Sequence, residues 1–438
     1  MSGLKDAGLA FSSNIGVTLV AVGTQSCLAW FLGPEARGSY AVCLIFGSLL
    51  GAIFAVGLDA AIQYYVAAKK IAISDALSVA FFLVLAGGLC AALFGLMLME
   101  LDLEYFDKAD SDSFEIALFY IPISMLVGFL PRLMVGLRDF VGMGLYSIVQ
   151  AIVQLIVIFV AIGVLELGIN GALTAMVLSG VITIVLELLY LRKKYKFEFI
   201  KPNVAHIKMV VHYGMRHHFA RLSNIVNFQM GAIILAFFAT REEIGYFTVA
   251  SALMGYVVQI PGALGKALLP RVAGDENGQA ALVALSSRMS GVICGLIIVV
   301  ILLIREPLIN IIFSPSFSAV IPLLVLLAPG MFVRSISKVM VPYFNGMAKP
   351  QITSYAVVSG ILVNISTLFI LYPIMGLEGA AISMTTGYFV SSVISLYYFS
   401  KLSGQSYTGI LIPSKSDWEY VSTSFNKLKL KLTNNKKI

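Results

Sequence analysis

Phe31 to Val42 reads FLGPEARGSYAV, and Phe238 to Val249 reads FATREEIGYFTV, so that Gly38 aligns with Gly245 at an offset of 207 residues. A second pair, GINGALTAM from Gly168 to Met176 and GLEGAAISM from Gly376 to Met384, aligns at an offset of 208. Each match is short and rich in small residues. Two separate matches at nearly one offset nevertheless point to a single unit written twice.

The chain around both copies is apolar. Of its 438 residues 59% are hydrophobic and 12% charged, with a mean hydropathy of +0.92, against about 25% charged in soluble domains. Apolar stretches of roughly 20 residues, enough to cross a hydrocarbon layer about 30 Å thick, recur from end to end. The pattern predicts an all-α polytopic membrane protein with twelve transmembrane helices in two six-helix lobes. Helices 1–6 fall in residues 1–191, a basic linker in 192–208, helices 7–12 in 209–400 and a basic tail in 401–438. Six is even, so both copies enter the membrane from the same side, and the repeat is parallel.

Charge sets the expected orientation. The linker carries Arg192, Lys193, Lys194, Lys196, Lys201 and Lys208, and the tail carries Lys427, Lys429, Lys431, Lys436 and Lys437. The loops on the opposite side carry Asp102, Glu104, Asp107, Asp110, Asp112 and Glu115. Because basic loops stay in the cytoplasm, both termini are expected there. The net charge of +7 is thus explained by topology, and nucleic acid is not an expected partner. Cys27, Cys43, Cys90 and Cys294 sit singly in apolar helices, which gives neither metal-ligand spacing nor a disulfide framework. No catalytic constellation is present in the pattern.

Polar residues inside the predicted helices are the candidate functional groups. On the seventh span Arg216, His217, Arg221, Asn224 and Asn227 share one side of the helix, opposite Phe219, Leu222, Val226 and Met230. Arg334 and Lys338 stand four apart on the tenth span and so project from one face. A charge at the bilayer centre costs at least about 2.5 kcal/mol. A wet cavity removes most of that cost, so these cations predict a positive lumen suited to an anionic cargo. Asn14 and Gln25 on the first span, with Gln150 and Gln154 on the fifth, are expected to line a polar cavity or to bond between helices. Asp59 and Glu187, near the inner ends of the second and sixth spans, are candidates for a coupling proton or cation, or for pairing with a nearby base.

The chain resembles the multidrug/oligosaccharidyl-lipid/polysaccharide exporter superfamily, and within it the Wzx-type flippases of O-antigen repeat units. The features that carry this are LGPEARGSY (Leu32 to Tyr40), ATREEIGYF (Ala239 to Phe247), LLPRVAG (Leu268 to Gly274), REPLINIIFSPSF (Arg305 to Phe317) and the turn from Gly376 to Ala381. The resemblance implies a two-lobed bacterial inner-membrane protein that moves an undecaprenyl-pyrophosphate-linked oligosaccharide between leaflets by alternating access. A proton or sodium gradient would drive it in place of a bound cofactor, and a polysaccharide polymerase and a chain-length regulator would be its partners. Multidrug exporters of the superfamily often carry an acid in the first span, where this chain has Asn14 and Gln25. A multidrug exporter remains the alternative reading. A membrane glycosyltransferase or polymerase is a further one, resting on the acidic loop from Asp102 to Glu115.

Overall fold

A computed structural model describes residues 2–101, 103–259, 261, 276–347, 349, 351–414 and 417. The side chains of residues 2–12, 217, 219–221, 223–224, 226–228 and 276–279 lie outside that description. All regular structure among the described residues is helical. The first half contains α1 (Ser2–Phe54), α2 (Leu58–Ala67), α3 (Ile73–Met99), α4 (Ser111–Gly136), α5 (Phe140–Ile158) and α6 (Gly168–Tyr195). The second contains α7 (Val204–Phe238), α8 (Arg241–Val257), α9 (Glu276–Leu303), α10 (Val320–Ser337), α11 (Gln351–Ser403) and α12 (Tyr407–Leu411).

α1 and α11 are each 53 residues long, and each is two spans joined at one glycine. Gly33 (φ 71°) and Gly376 (φ 57°) occupy backbone conformations that disfavour a side chain. That the arms fold back is shown by contacts across each joint: Arg37 reaches Gln25 across Gly33, and Thr367 lies 3.2 Å from Thr386 across Gly376. Divided there, α1 and α11 supply four crossings and α3 to α10 the other eight, which makes the predicted twelve. The turn at Leu32–Tyr40 is shorter than the sequence suggests. Pro34 follows Gly33 directly and begins the next helix, a position where its missing N–H is not needed. The second repeat closes the same corner differently, with Thr240 and Glu243 exchanging hydrogen bonds as a capping box at the start of α8.

The lobes meet where the repeat aligns. A Cβ on Gly38 would fall 1.7 Å from the Arg241 carbonyl oxygen, and one on Gly245 would fall 2.1 Å from that of Pro34. The two helices therefore touch backbone to backbone near the face opposite the start of α1 and the end of α11, here called the far face. A single apolar core there runs through both lobes, from Leu28, Val42 and Phe46 to Phe247, Met254, Leu327 and Met384. Toward the near face, which bears the start of α1 and the end of α11, the core divides. One cluster joins α2, α3, α4, α6 and the start of α7 around Ile62, Leu77, Leu130 and Val210, and a separate one joins α9 to α12 around Tyr343, Phe344 and Phe399.

Other contacts reinforce the far-face seal. The Ser26 hydroxyl donates to the Ile312 carbonyl, Trp30 Nε1 donates to that of Ile311 at 3.3 Å, and Arg241 donates to that of Asp107 at 2.7 Å. On the near face α2 leans on α7, with Tyr64 stacked on Tyr213 at 4.6 Å between ring centroids. The tail turns back after α11: Arg288 of α9 holds Asp417 through two hydrogen bonds of 2.6 and 2.7 Å. Residues 418–438 and the LLPRVAG run lie outside the described residues.

Candidate functional site

Four predicted polar residues come together. Asn14, Gln25, Gln150 and Gln154 line one cavity of about 250 Å³ between the first arm of α1 and α5, joined by Thr24 and Ser147. They converge because each helix repeats its polar residues on the side that faces the other, so the amides need a wet space or one another. Gln154 turns its amide toward the sulfur of Met176 at 2.9 Å. Gln25 instead accepts a hydrogen bond of 2.5 Å from Nη2 of Arg37.

Arg37 was not singled out by the sequence. It is 5% exposed, one turn past Gly33, on the arm of α1 that meets α8. Its guanidinium carbon stands 5.2 Å from the Tyr40 ring centroid, and Tyr256 of α8 is within electrostatic reach. Nε has no hydrogen-bond partner. This is a buried cation held by an amide and aromatic rings, with one donor still unmet. The signal that could have found it is the Gly33–Pro34 pair: glycine stops one helix and proline starts the next, so Arg37 belongs inside the membrane and not in a loop.

In the second lobe Arg334 lies in the last turn of α10 with its guanidinium carbon 4.0 Å from the centroid of the Tyr388 ring. Tyr388 is 2% exposed and its hydroxyl has no partner. Lys338 follows one turn on, where α10 tightens into a 3-10 turn, and it faces α9 within electrostatic reach of Cys294. Neither Arg37 nor Arg334 is among the described ion pairs, whose cations are Arg132, Lys194, His206 and Arg288.

The remaining candidates are dispersed. Arg216 is exposed on α7, and the side chains of His217, Arg221, Asn224 and Asn227 lie outside the described residues. Asp59 lines a second cavity of about 180 Å³ with Ser48, Ser124 and Gly128, and its carboxylate is 4.0 Å from Arg132. Glu187 sits apart from both cavities and is fully buried in α6. Among the described residues no cluster of His, Cys, Asp or Glu could hold a metal ion.

Comparison with known proteins fits this geometry. The family model described as polysaccharide biosynthesis protein matches residues 4–274, more than half of the chain. The chain belongs to this family. Its fold is that of the multidrug/oligosaccharidyl-lipid/polysaccharide exporter superfamily. An inward-facing multidrug resistance MATE family transporter of that superfamily superposes with a TM-score of 0.71 at 17% identity, over 91% of this chain and 99% of that one. The lipid II flippase MurJ in an inward closed conformation gives 0.70 at 14% identity, over 91% and 90% of the two chains. By sequence, an uncharacterized membrane protein of Methanocaldococcus jannaschii, MJ1068, is 27% identical over 95 residues, which covers 22% of this chain and 19% of that one. As a member of the polysaccharide biosynthesis family the chain is a multi-pass membrane protein, and the Gly38–Gly245 contact is where its two lobes join.

Proposed function

We propose that this protein translocates an undecaprenyl-pyrophosphate-linked oligosaccharide, such as an O-antigen repeat unit, across the bacterial inner membrane, with the near face cytoplasmic. The reading rests on Arg37 and Arg334. Arg37 is buried and Arg334 half-buried, and among the described residues both stand against aromatic rings and in no ion pair. A buried cation without a counter-charge is unstable by several kcal/mol relative to water, and a passing anion relieves that. Pyrophosphate supplies such a charge in a form that arginine can bind through two parallel hydrogen bonds.

The division of the core indicates how the cargo would move. A shared core holds the lobes together at the far face, while at the near face α7 packs with the first half and the cluster of α9 to α12 stands apart from them, free to part. Rocking about the far contact would open a path to the near-face leaflet. Cargo binding would then favour the state that offers the cations best, shifting the population toward release on the other side. The saccharide would follow the polar surface of Asn14, Gln25, Gln150 and Gln154. The isoprenoid tail would stay in lipid, against the exposed apolar side chains of the outer helix faces.

A multidrug exporter is the second reading, favoured by the likeness to the MATE transporter. Complementation separates the two. Expressed in a strain lacking its own O-antigen flippase, the protein should restore surface glycan on a gel, and Arg37→Ala and Arg334→Ala should lose it at equal protein abundance. Resistance to cationic drugs without any surface glycan would favour the second reading.

A further inference from the structure

Glu187 has 0% exposure, and neither carboxylate oxygen has a hydrogen-bond partner. It lies on α6 within the apolar cluster of the first lobe, flanked in sequence by Ile184, Leu188 and Leu191. An ionised carboxylate placed there with no partner would be destabilised by many kcal/mol, so the group takes up a proton instead. We propose that Glu187 is a proton-binding site. It is neutral in the conformation described here, and it exchanges its proton with near-face water when α6 shifts against α4 and α5.

The surroundings favour a proton over a metal cation. A sodium ion needs several oxygen ligands, and the nearest hydroxyl one turn away on α6, that of Thr183, is already bonded to the Ser179 carbonyl at 2.8 Å. Among the described residues Glu187 is in no ion pair. From α5, which carries no charged residue, the facing titratable group is Tyr146, within electrostatic reach of Glu187. On α6 itself it is Tyr190. In its near half α4 carries only Arg132, which is half-exposed and turned to Asp59. α3 and α7 add Asp75 and His206, which pair with each other at 3.2 Å. The first arm of α1 carries Lys5 and Asp6 in its opening turns, with side chains outside the described residues.

A polar chain leads from the near face toward the site. The rings of Tyr146 and Tyr190 are 4.9 Å apart, and the Tyr190 hydroxyl donates to Asp139 at 2.8 Å. Lys194 Nζ, half-exposed at the near face, bonds the same carboxylate at 2.8 Å and the Tyr190 hydroxyl at 2.9 Å. Neither Glu187 oxygen is bonded to this chain here, so the shift of α6 would have to bring the carboxyl to a tyrosine hydroxyl before a proton from near-face water could reach it. The carboxylate becomes a carboxylic acid, and no other bond changes. Asp139 and Lys194 stay paired and ionised, so the group that changes charge is the buried one.

Infrared spectroscopy tests this without any cargo. Purified protein in lipid at neutral pH should show a carboxylic-acid carbonyl stretch that Glu187→Gln removes, at an unchanged melting temperature. Tyr146→Phe should leave that band in place but slow its exchange with heavy water. If the spectra of the wild type and Glu187→Gln coincide in this region, Glu187 is ionised and the proposal is overturned. A band assigned to Glu187 that does not alter when an opposed pH gradient is imposed across sealed vesicles would overturn the proposed exchange with near-face water. Neither reading depends on which lipid or drug the protein moves.

Discussion

Gly38 and Gly245, at corresponding positions of the two repeats, press their helices together so closely that a methyl group on Gly38 would lie 1.7 Å from the Arg241 carbonyl oxygen. The contact joins the lobes at the far face, beside the core they share. Overpacking of this kind against backbone costs about 1–3 kcal/mol. Gly38→Val should therefore lower the melting temperature and open the far side. A cysteine placed near Trp30 in that background should react with an impermeant thiol reagent added from the far face, whereas it should be protected when Gly38 is intact. Equal labelling in both would show that the contact does not hold the far side shut.

Arg37 links the lobe interface to the polar cavity through Gln25. A hydrogen bond to a charged group contributes about 1.5–3 kcal/mol, which is roughly a ten- to hundred-fold change in affinity. Arg37→Ala should weaken binding of a pyrophosphate lipid by about that factor, measured by titration into purified protein. Arg37→Lys should recover part of the loss, because charge is kept while the paired donors are not.

Tyr388 separates the roles of its ring and its hydroxyl. The ring face carries the Arg334 guanidinium, but the hydroxyl bonds to nothing. Tyr388→Phe should leave the melting temperature unchanged or slightly raised, and should leave transport intact. Tyr388→Leu removes a stack worth about 0.5–2 kcal/mol and should impair transport as Arg334→Ala does. Lys338→Ala, one turn further on, should also reduce export at unchanged abundance.

Asp139 supplies a pH signature. It caps α5 through the Gly142 N–H at 3.0 Å and accepts from Tyr190, Tyr195 and Lys194. Burial pushes its carboxyl up, but the hydrogen bonds from Lys194, Tyr190 and Gly142 outweigh this and hold it below the usual carboxylate range. Because the folded value is depressed, the stabilisation is present above the unfolded value of about 3.9 and is lost as pH falls through the folded one. Asp139→Asn should melt lower than the wild type at neutral pH, by an amount that stays constant down to about pH 5 and shrinks below it. A gap independent of pH would contradict this assignment.

The repeat and the twelve crossings could be read from the chain because they rest on apolar length and on two short alignments. The polar cavity was legible for a related reason: Gln150 and Gln154 stand four apart on α5, and Asn14 and Gln25 face them from α1. Arg37 was hidden by a boundary. The stretch Leu32–Tyr40 reads as a loop by composition, whereas the chain turns at Gly33 alone, so the arginine falls inside a helix and under the opposite lobe. The partners of buried charges were not legible either. Asp59 finds Arg132, while Glu187, of the same charge type and similar depth, finds no partner. That difference depends on how α6 rotates against α4 and α5, which periodicity along one helix does not specify.

Reconstitution into sealed vesicles tests the translocation of a lipid-linked saccharide most directly. The vesicles would hold a fluorescent undecaprenyl-pyrophosphate oligosaccharide in both leaflets, and an impermeant quencher would report the exposed fraction. Wild-type protein should bring nearly all of the label within reach over time, and the Arg37→Ala and Arg334→Ala proteins should leave the inner-leaflet half protected. Protection of that half by well-folded wild-type protein, with a proton gradient of either sign imposed, would contradict the proposed function.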